Sequence, residues 1–217
     1  MHHISAKGWT PAFSLFGLES CNQDPCENFL ELLSAASFDD FNAQDREGWT
    51  IMHRAAHLGT GNQIRSLISR NVSLDIQTNV LRWTPIFCSV LGNNLSTFAE
   101  LIQYEPRLLE ATDVRNWTLL HVAVNSGSLD IMRLLIQLGA DPHALSYPTK
   151  SFIPKDLRSL SLTPGDIAKM RGLSIFTAYV NALAAIGHEV CVAHNREDNT
   201  LDIFWPALEH FSEERSP

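Results

Sequence analysis

Four of the five tryptophans in this 217-residue chain stand directly before a threonine: Trp9-Thr10, Trp49-Thr50, Trp83-Thr84 and Trp117-Thr118. The steps recur at intervals of 40, 34 and 34 residues, and a related start at Thr163 follows 45 residues later. A period in this range marks an array in which one supersecondary unit repeats. Each start leads into a short apolar run, a break and a second apolar run. The second runs carry apolar residues at i, i+3, i+4 spacing: Ile64, Leu67 and Ile68; Phe98, Leu101 and Ile102; Ile131, Leu134 and Leu135. One such helix pair cannot cover its own apolar face, so neighbouring units must stack into a solenoid.

Aligned on their threonines, the first runs read TPAFSLFG, TIMHRAAHLG, TPIFCSVLGN, TLLHVAVNSG and TPGDIAKMRG. A leading threonine caps a helix through its hydroxyl, and proline suits the next position, where no amide donor is needed. Small residues such as Ala55, Ala56 and Ala123 let helices approach closely, and a closing glycine ends the short helix. These runs resemble ankyrin repeats, whose signature is T-P-L-H-x-A-A-x-x-G. Thr50, Ile51, Met52, His53, Ala55, Ala56 and Gly59 fall on that pattern, as do Thr118, Leu120, His121, Ala123 and Gly127. The following SLDIMRLLIQLGADPHA resembles the family's second helix and its Gly-Ala-Asp turn, which makes the fourth unit the most typical.

The resemblance implies an all-α ankyrin-repeat solenoid of about five helix-turn-helix repeats with β-hairpin or loop fingers. The expected ankyrin-repeat domain is 1–195, with repeats at about 8–44, 45–78, 79–112, 113–146 and 160–190. Inserts fall at 17–28 and 145–161, the second expected as an extended hairpin or loop on the finger side. Residues 196–217 are expected as an acidic C-terminal capping tail. The third unit has Phe87 and Asn93 where the family has His and the closing Gly.

His53 and His57 form an HxxxH pair, a spacing that suits a metal or acid–base chemistry on a helix. The repeats argue against both uses. Phe13, Phe87 and Asp166 occupy the position of His53 in sister units, and a metal ligand would not be exchanged for phenylalanine without loss. The resemblance instead implies that His53 and His121 bridge the backbones of adjacent units. His57 differs, because its place is taken by Gly17, Leu91, Asn125 and Met170 elsewhere. In the family that place faces a concave groove. The resemblance also implies that the residue before the threonine lies at the base of the finger, partly exposed, so Trp9, Trp49, Trp83 and Trp117 are expected as a ladder of rings. Stacking on the neighbouring unit is their competing, purely structural use.

The expected contact set is Trp9, Arg46, Glu47, Trp49, His57, Leu58, Arg82, Trp83, Leu91, Arg115, Trp117, Asn125 and Met170. Arg46, Arg82 and Arg115 suggest a positive fingertip edge for an acidic peptide. The expected function is a non-catalytic protein–protein interaction module with a protein or peptide partner. A regulatory or scaffold array of a larger signalling protein is the alternative; the Trp-Thr-rich repeats are similar to those of fungal ankyrin proteins. A small-ligand binder or enzyme that recruited the groove is a third class.

A formal charge of −8 argues against nucleic acid, and no apolar run approaches a membrane span. No GxSxG, P-loop or GxGxxG accompanies the repeats, so no catalytic residue, cofactor or metal ligand is assigned. Cys21, Cys26, Cys88 and Cys191 are too few for a disulfide framework and are read as reduced thiols. An intracellular location, cytoplasmic or nuclear, is expected, as is a monomer in preference to an oligomer.

Overall fold

The computed structural model describes Gly8, Phe13, Glu31, residues 40–148 and residues 160–188. Trp9, the insert at 17–28, residues 149–159 of the second insert and the tail at 196–217 lie outside the described residues. Within them, eight α-helices form four pairs: α1 (Ile51–Leu58) with α2 (Gly61–Ser69), α3 (Pro85–Leu91) with α4 (Leu95–Tyr104), α5 (Leu119–Ser126) with α6 (Leu129–Gln137), and α7 (Pro164–Met170) with α8 (Leu173–Ala185). The first helices stack in one row, α1 on α3 on α5 on α7; α2 packs on α4 and α6 on α8 in the second row. The chain is an all-α solenoid.

Threonine starts each first helix for the physical reason its sequence position suggests. Thr50, Thr118 and Thr163 are N-caps whose hydroxyls accept from the N3 amide, and the N3 side chain returns to the cap's own N–H. The N3 residues are His53, His121 and Asp166, so the variable fourth letter of the motif is one half of a capping box. Phe87 cannot return that bond. In its unit Pro85 takes N1, and the Thr84 hydroxyl is buried with no hydrogen-bond partner among the described residues.

The residue nine after each threonine is left-handed in three of the four units: Asn93 (φ 48°), Gly127 (φ 74°) and Gly172 (φ 103°). Asn93 thus fills a place that the sequence makes look vacant. Gly59 differs from these three. Its φ is −85°, and it is glycine for space: a Cβ there would lie 2.5 Å from the Ala55 carbonyl oxygen.

The core runs unbroken through the stack. Ala55, Ala56, Ala123 and Ala168 are sealed between first helices, while Ile64, Leu67, Phe98, Leu101, Ile131 and Leu135 bury the inward stripes of the second helices. Burying a side chain of this size contributes about 1.5–3 kcal/mol. The row is also tied by polar bonds between units. Asn94 Nδ2 donates to the Gly59 carbonyl at 2.8 Å, and Thr97 Oγ1 donates to the Ala56 carbonyl at 2.6 Å. The carbonyls that end α1 are therefore satisfied by the next unit rather than by water.

Between helix pairs the chain forms fingers. The Asp45 N–H donates to the Trp49 carbonyl at 2.9 Å, Thr78 to Trp83 at 2.9 Å and Asp113 to Trp117 at 3.0 Å. Asp45 and Asp113 each turn one carboxylate oxygen onto two amides, those of residues two and four further on. Thr78 Oγ1 does the same work for the Trp83 amide across a turn one residue longer. Among the described residues the fingers hold a single isolated β-bridge, Thr112 with Thr118, so they are tight loops more than hairpins.

Consecutive fingers are laced together by backbone bonds: Asn79 N–H to the Glu47 carbonyl, Val114 to Leu81 and Tyr147 to Arg115. The second insert enters this frame at a defined place. The Ser146 N–H donates to the Leu162 carbonyl at 3.0 Å, and the Leu162 N–H donates to Ser146 Oγ at 2.9 Å. These are the bonds that Asp45 makes with Trp49, now closed across sixteen residues instead of four. The insert at 145–161 thus springs from the base of the fifth finger.

Candidate functional site

The tryptophans face inward. Trp49, Trp83 and Trp117 are 6%, 0% and 2% exposed, which corrects the expectation of a partly exposed ladder. The cause is the residue just before each ring. Gly48 (φ 87°), Arg82 (φ 56°) and Asn116 (φ 59°) are all left-handed, and this reversal swings the following side chain under the finger. Gly48 is also spatially obligatory, since a Cβ would stand 2.9 Å from the Asn79 backbone nitrogen. Each ring then covers the N3 residue of its own helix: Trp49 on His53 edge-on at 5.5 Å, Trp83 on Phe87 at 5.7 Å and Trp117 on His121 at 5.9 Å. Trp83 Nε1 also donates to Asp113 Oδ2 in the next finger at 3.2 Å.

The histidines are structural ties. The Thr50 N–H donates to His53 Nδ1 at 3.1 Å, so Nδ1 is the acceptor. His53 Nε2 therefore carries the hydrogen and donates to the Trp83 carbonyl of the next unit at 2.9 Å. His121 repeats the arrangement with Thr118 at 3.1 Å and Leu162 at 3.1 Å. Burial of this neutral ring lowers the His53 pKa to about 4, with the Trp83 carbonyl and Asp45 opposing the shift less strongly. His121 is lowered for the same leading reason.

The position expected to face a groove instead meets the next unit. His57 is half-buried, and because a carbonyl only accepts, its Nδ1 donates to the Cys88 oxygen at 3.1 Å. Burial lowers its pKa also. Leu91 and Met170 pack against the core and Asn125 is buried. For His57 the physical reason is that the last turn of its helix is pressed against the following unit. Arg115 is likewise no fingertip cation. It is 3% exposed, paired with Asp113, with its guanidinium carbon 3.8 Å from the Trp117 ring centre.

What the fold leaves outside is a different subset. Arg46, Glu47, Leu58 and Arg82 are exposed as expected, with Arg82 Nε donating to Gln77 Oε1 at 2.8 Å. Beside them stand large apolar residues that the sequence reading passed over: Val80 at 63%, Val114 at 50%, Leu145 at 56% and Tyr147 at 60% exposure. All four belong to fingers three, four and five, which the backbone ladder holds side by side. A signal for them exists in the sequence. Val80 and Val114 each follow the polar residues that open their turns, where nothing local asks for a β-branched apolar side chain. The result is a row of apolar fingertips, flanked on finger two by Arg46 and Glu47.

Residues 59–146 match the family model of ankyrin repeats in three copies. Among curated proteins, the chain is similar to Alpha-latrotoxin-Lg1a of Latrodectus geometricus, 26% identical over 110 residues that make up 51% of this chain and 8% of the toxin. It is similar to Rabankyrin-5 of Homo sapiens, 28% identical over 145 residues, 65% of this chain and 12% of that protein. A shorter stretch of 55 residues is 36% identical to the NAD-dependent deacetylase sir2B of Dictyostelium discoideum, covering 25% of this chain and 7% of the deacetylase. The chain spans no more than 12% of the length of these relatives. At this coverage the likeness carries no activity from these relatives to the chain.

Proposed function

Taking the chain as the ankyrin-repeat protein that residues 59–146 show it to be, we propose that it binds a protein or peptide partner along its row of fingertips. Ankyrin repeats generally serve protein–protein interaction, and the face and its chemistry follow from the exposed side chains. The observation that carries it is the exposure of Val80, Val114 and Tyr147 on neighbouring fingers. These side chains stand in water on a frame tied together by backbone bonds. Contiguous exposed apolar surface with a polar border is the signature of a contact site. Arg46, Glu47 and Arg82 supply that border, and their mixed sign favours no strongly charged partner. An intracellular location belongs to the same proposal, supported by the sparse cysteines of the chain.

The test is affinity capture with the wild-type chain beside a Val80→Asp, Val114→Asp, Tyr147→Asp variant. The three side chains are exposed, so helical circular dichroism and the thermal midpoint should hold while captured partners are lost. A folded variant that keeps every partner refutes the fingertip reading. Truncating Trp83 would not serve, because its ring is fully buried and its loss tests folding instead.

A further inference from the structure

Away from the fingers, the turn after α6 and the end of α8 bring two imidazoles together. His143 Nε2 and His188 Nε2 are 3.2 Å apart, with ring centres 5.4 Å apart and planes inclined by 48°. His143 is exposed and His188 half-exposed, so neither ring fills the core. Both backbones are nonetheless anchored. The His143 N–H donates to Asp141 Oδ1 at 2.8 Å, and the Tyr179 hydroxyl donates to the Pro142 carbonyl at 3.3 Å. On the other side the His188 N–H donates to the Leu183 carbonyl at 3.1 Å.

Two imidazoles that meet through the same nitrogen share one hydrogen between two lone pairs. A cation accepts both lone pairs at once. Zinc holds imidazole nitrogen at about 2.0–2.1 Å, and two such ligands at the tetrahedral angle stand about 3.3 Å apart. The nitrogens already have that separation, so the pair closes on one cation by turning the two rings. We propose that His143 and His188 form a two-imidazole site for a borderline divalent cation, zinc first, which clips the turn after α6 to the end of α8. Imidazole suits zinc, copper and nickel, whereas magnesium and calcium demand oxygen. Among the described residues no group of three or more His, Cys, Asp or Glu is gathered to hold a metal ion. Because the clip joins two neighbouring helix pairs, its occupancy stabilises the contact between them.

The experiment is a zinc titration of the full chain by calorimetry and thermal unfolding, with magnesium as the hard-cation comparison. Zinc at ten times its dissociation constant should raise the unfolding midpoint by about 3–6 °C. Magnesium should leave it unchanged. His143→Gln and His188→Gln should each abolish the zinc-dependent rise. A rise of the same size in both variants, or none in the wild type, overturns the site. Nitrogen-15 spectra of the wild-type imidazoles give a readout that needs no variant: both Nε2 signals should move together on adding zinc, and two stationary signals overturn it equally.

Discussion

Acid should unfold this protein through His53, and the size of the effect follows from the structure. The ring is fully buried, donates to the Trp83 carbonyl and has its pKa lowered from 6.5 to about 4. Above pH 6.5 the imidazole is neutral in the folded and unfolded chain alike, so its titration costs nothing. Below that value the unfolded chain takes up a proton that the folded chain refuses until about pH 4. Stability then falls by about 1.4 kcal/mol per pH unit, and about 2 kcal/mol is lost between pH 7.5 and 5.0.

The companion variant is His53→Phe. The neighbouring unit already holds Phe87 in the same place beneath Trp83, so a six-membered ring is tolerated there. At pH 7.5 the variant should be less stable by about 1–3 kcal/mol, because the buried Thr50 amide loses its acceptor. Its further loss on going to pH 5.0 should be smaller than the wild type's by about 2 kcal/mol. His57 and His121 are lowered too and remain in both proteins, so the difference between the two pH responses isolates His53. Urea unfolding followed by fluorescence of the buried tryptophans at the two pH values gives all four numbers, with equal denaturant slopes as the check on cooperativity. Equal pH losses in wild type and variant would refute the reasoning.

Other substitutions test the fingers. Gly48→Ala places a Cβ against Asn79 at φ 87°, whereas Gly139→Ala at φ 85° meets nothing within 4 Å; in urea unfolding the second should cost about 1–2 kcal/mol, and the first more. Arg82→Asn keeps an exposed left-handed position but with a residue that tolerates it, and should raise stability by about 0.5–1 kcal/mol by the same measurement. Asp113→Ala strands the buried Arg115 and should cost about 3–5 kcal/mol; adding Arg115→Leu should restore part of that loss, as a double-mutant cycle will read.

The array was legible in the sequence because its causes are local and repeat. Thr50, Thr118 and Thr163 cap helices wherever they occur, and the stripe Ile64, Leu67 and Ile68 announces a buried helix face by spacing alone. The bridging role of His53 and His121 was legible only through the resemblance to ankyrin repeats, because its bonds run to the next unit. Candidate contacts fared differently. The reading of His57 and Asn125 as outward residues rested on their variability between units, and that of Arg115 on its place in a finger, but a residue varies also when each of its neighbours differs. His57 meets the Cys88 carbonyl while Arg115 meets Asp113 and the Trp117 ring.

By itself, then, the sequence determined the period, the helix starts, the apolar faces and the necessity of stacking, all of which follow from bonds and spacings within one unit. Only the tertiary structure decided what lies outside. The left-handed residues Gly48, Arg82 and Asn116 turn the tryptophans inward, and the backbone ladder lifts Val80, Val114 and Tyr147 into water. It likewise brought together His143 and His188, 45 positions apart. Exposure belongs to a residue's surroundings, and in a stacked array those surroundings are supplied by the next unit.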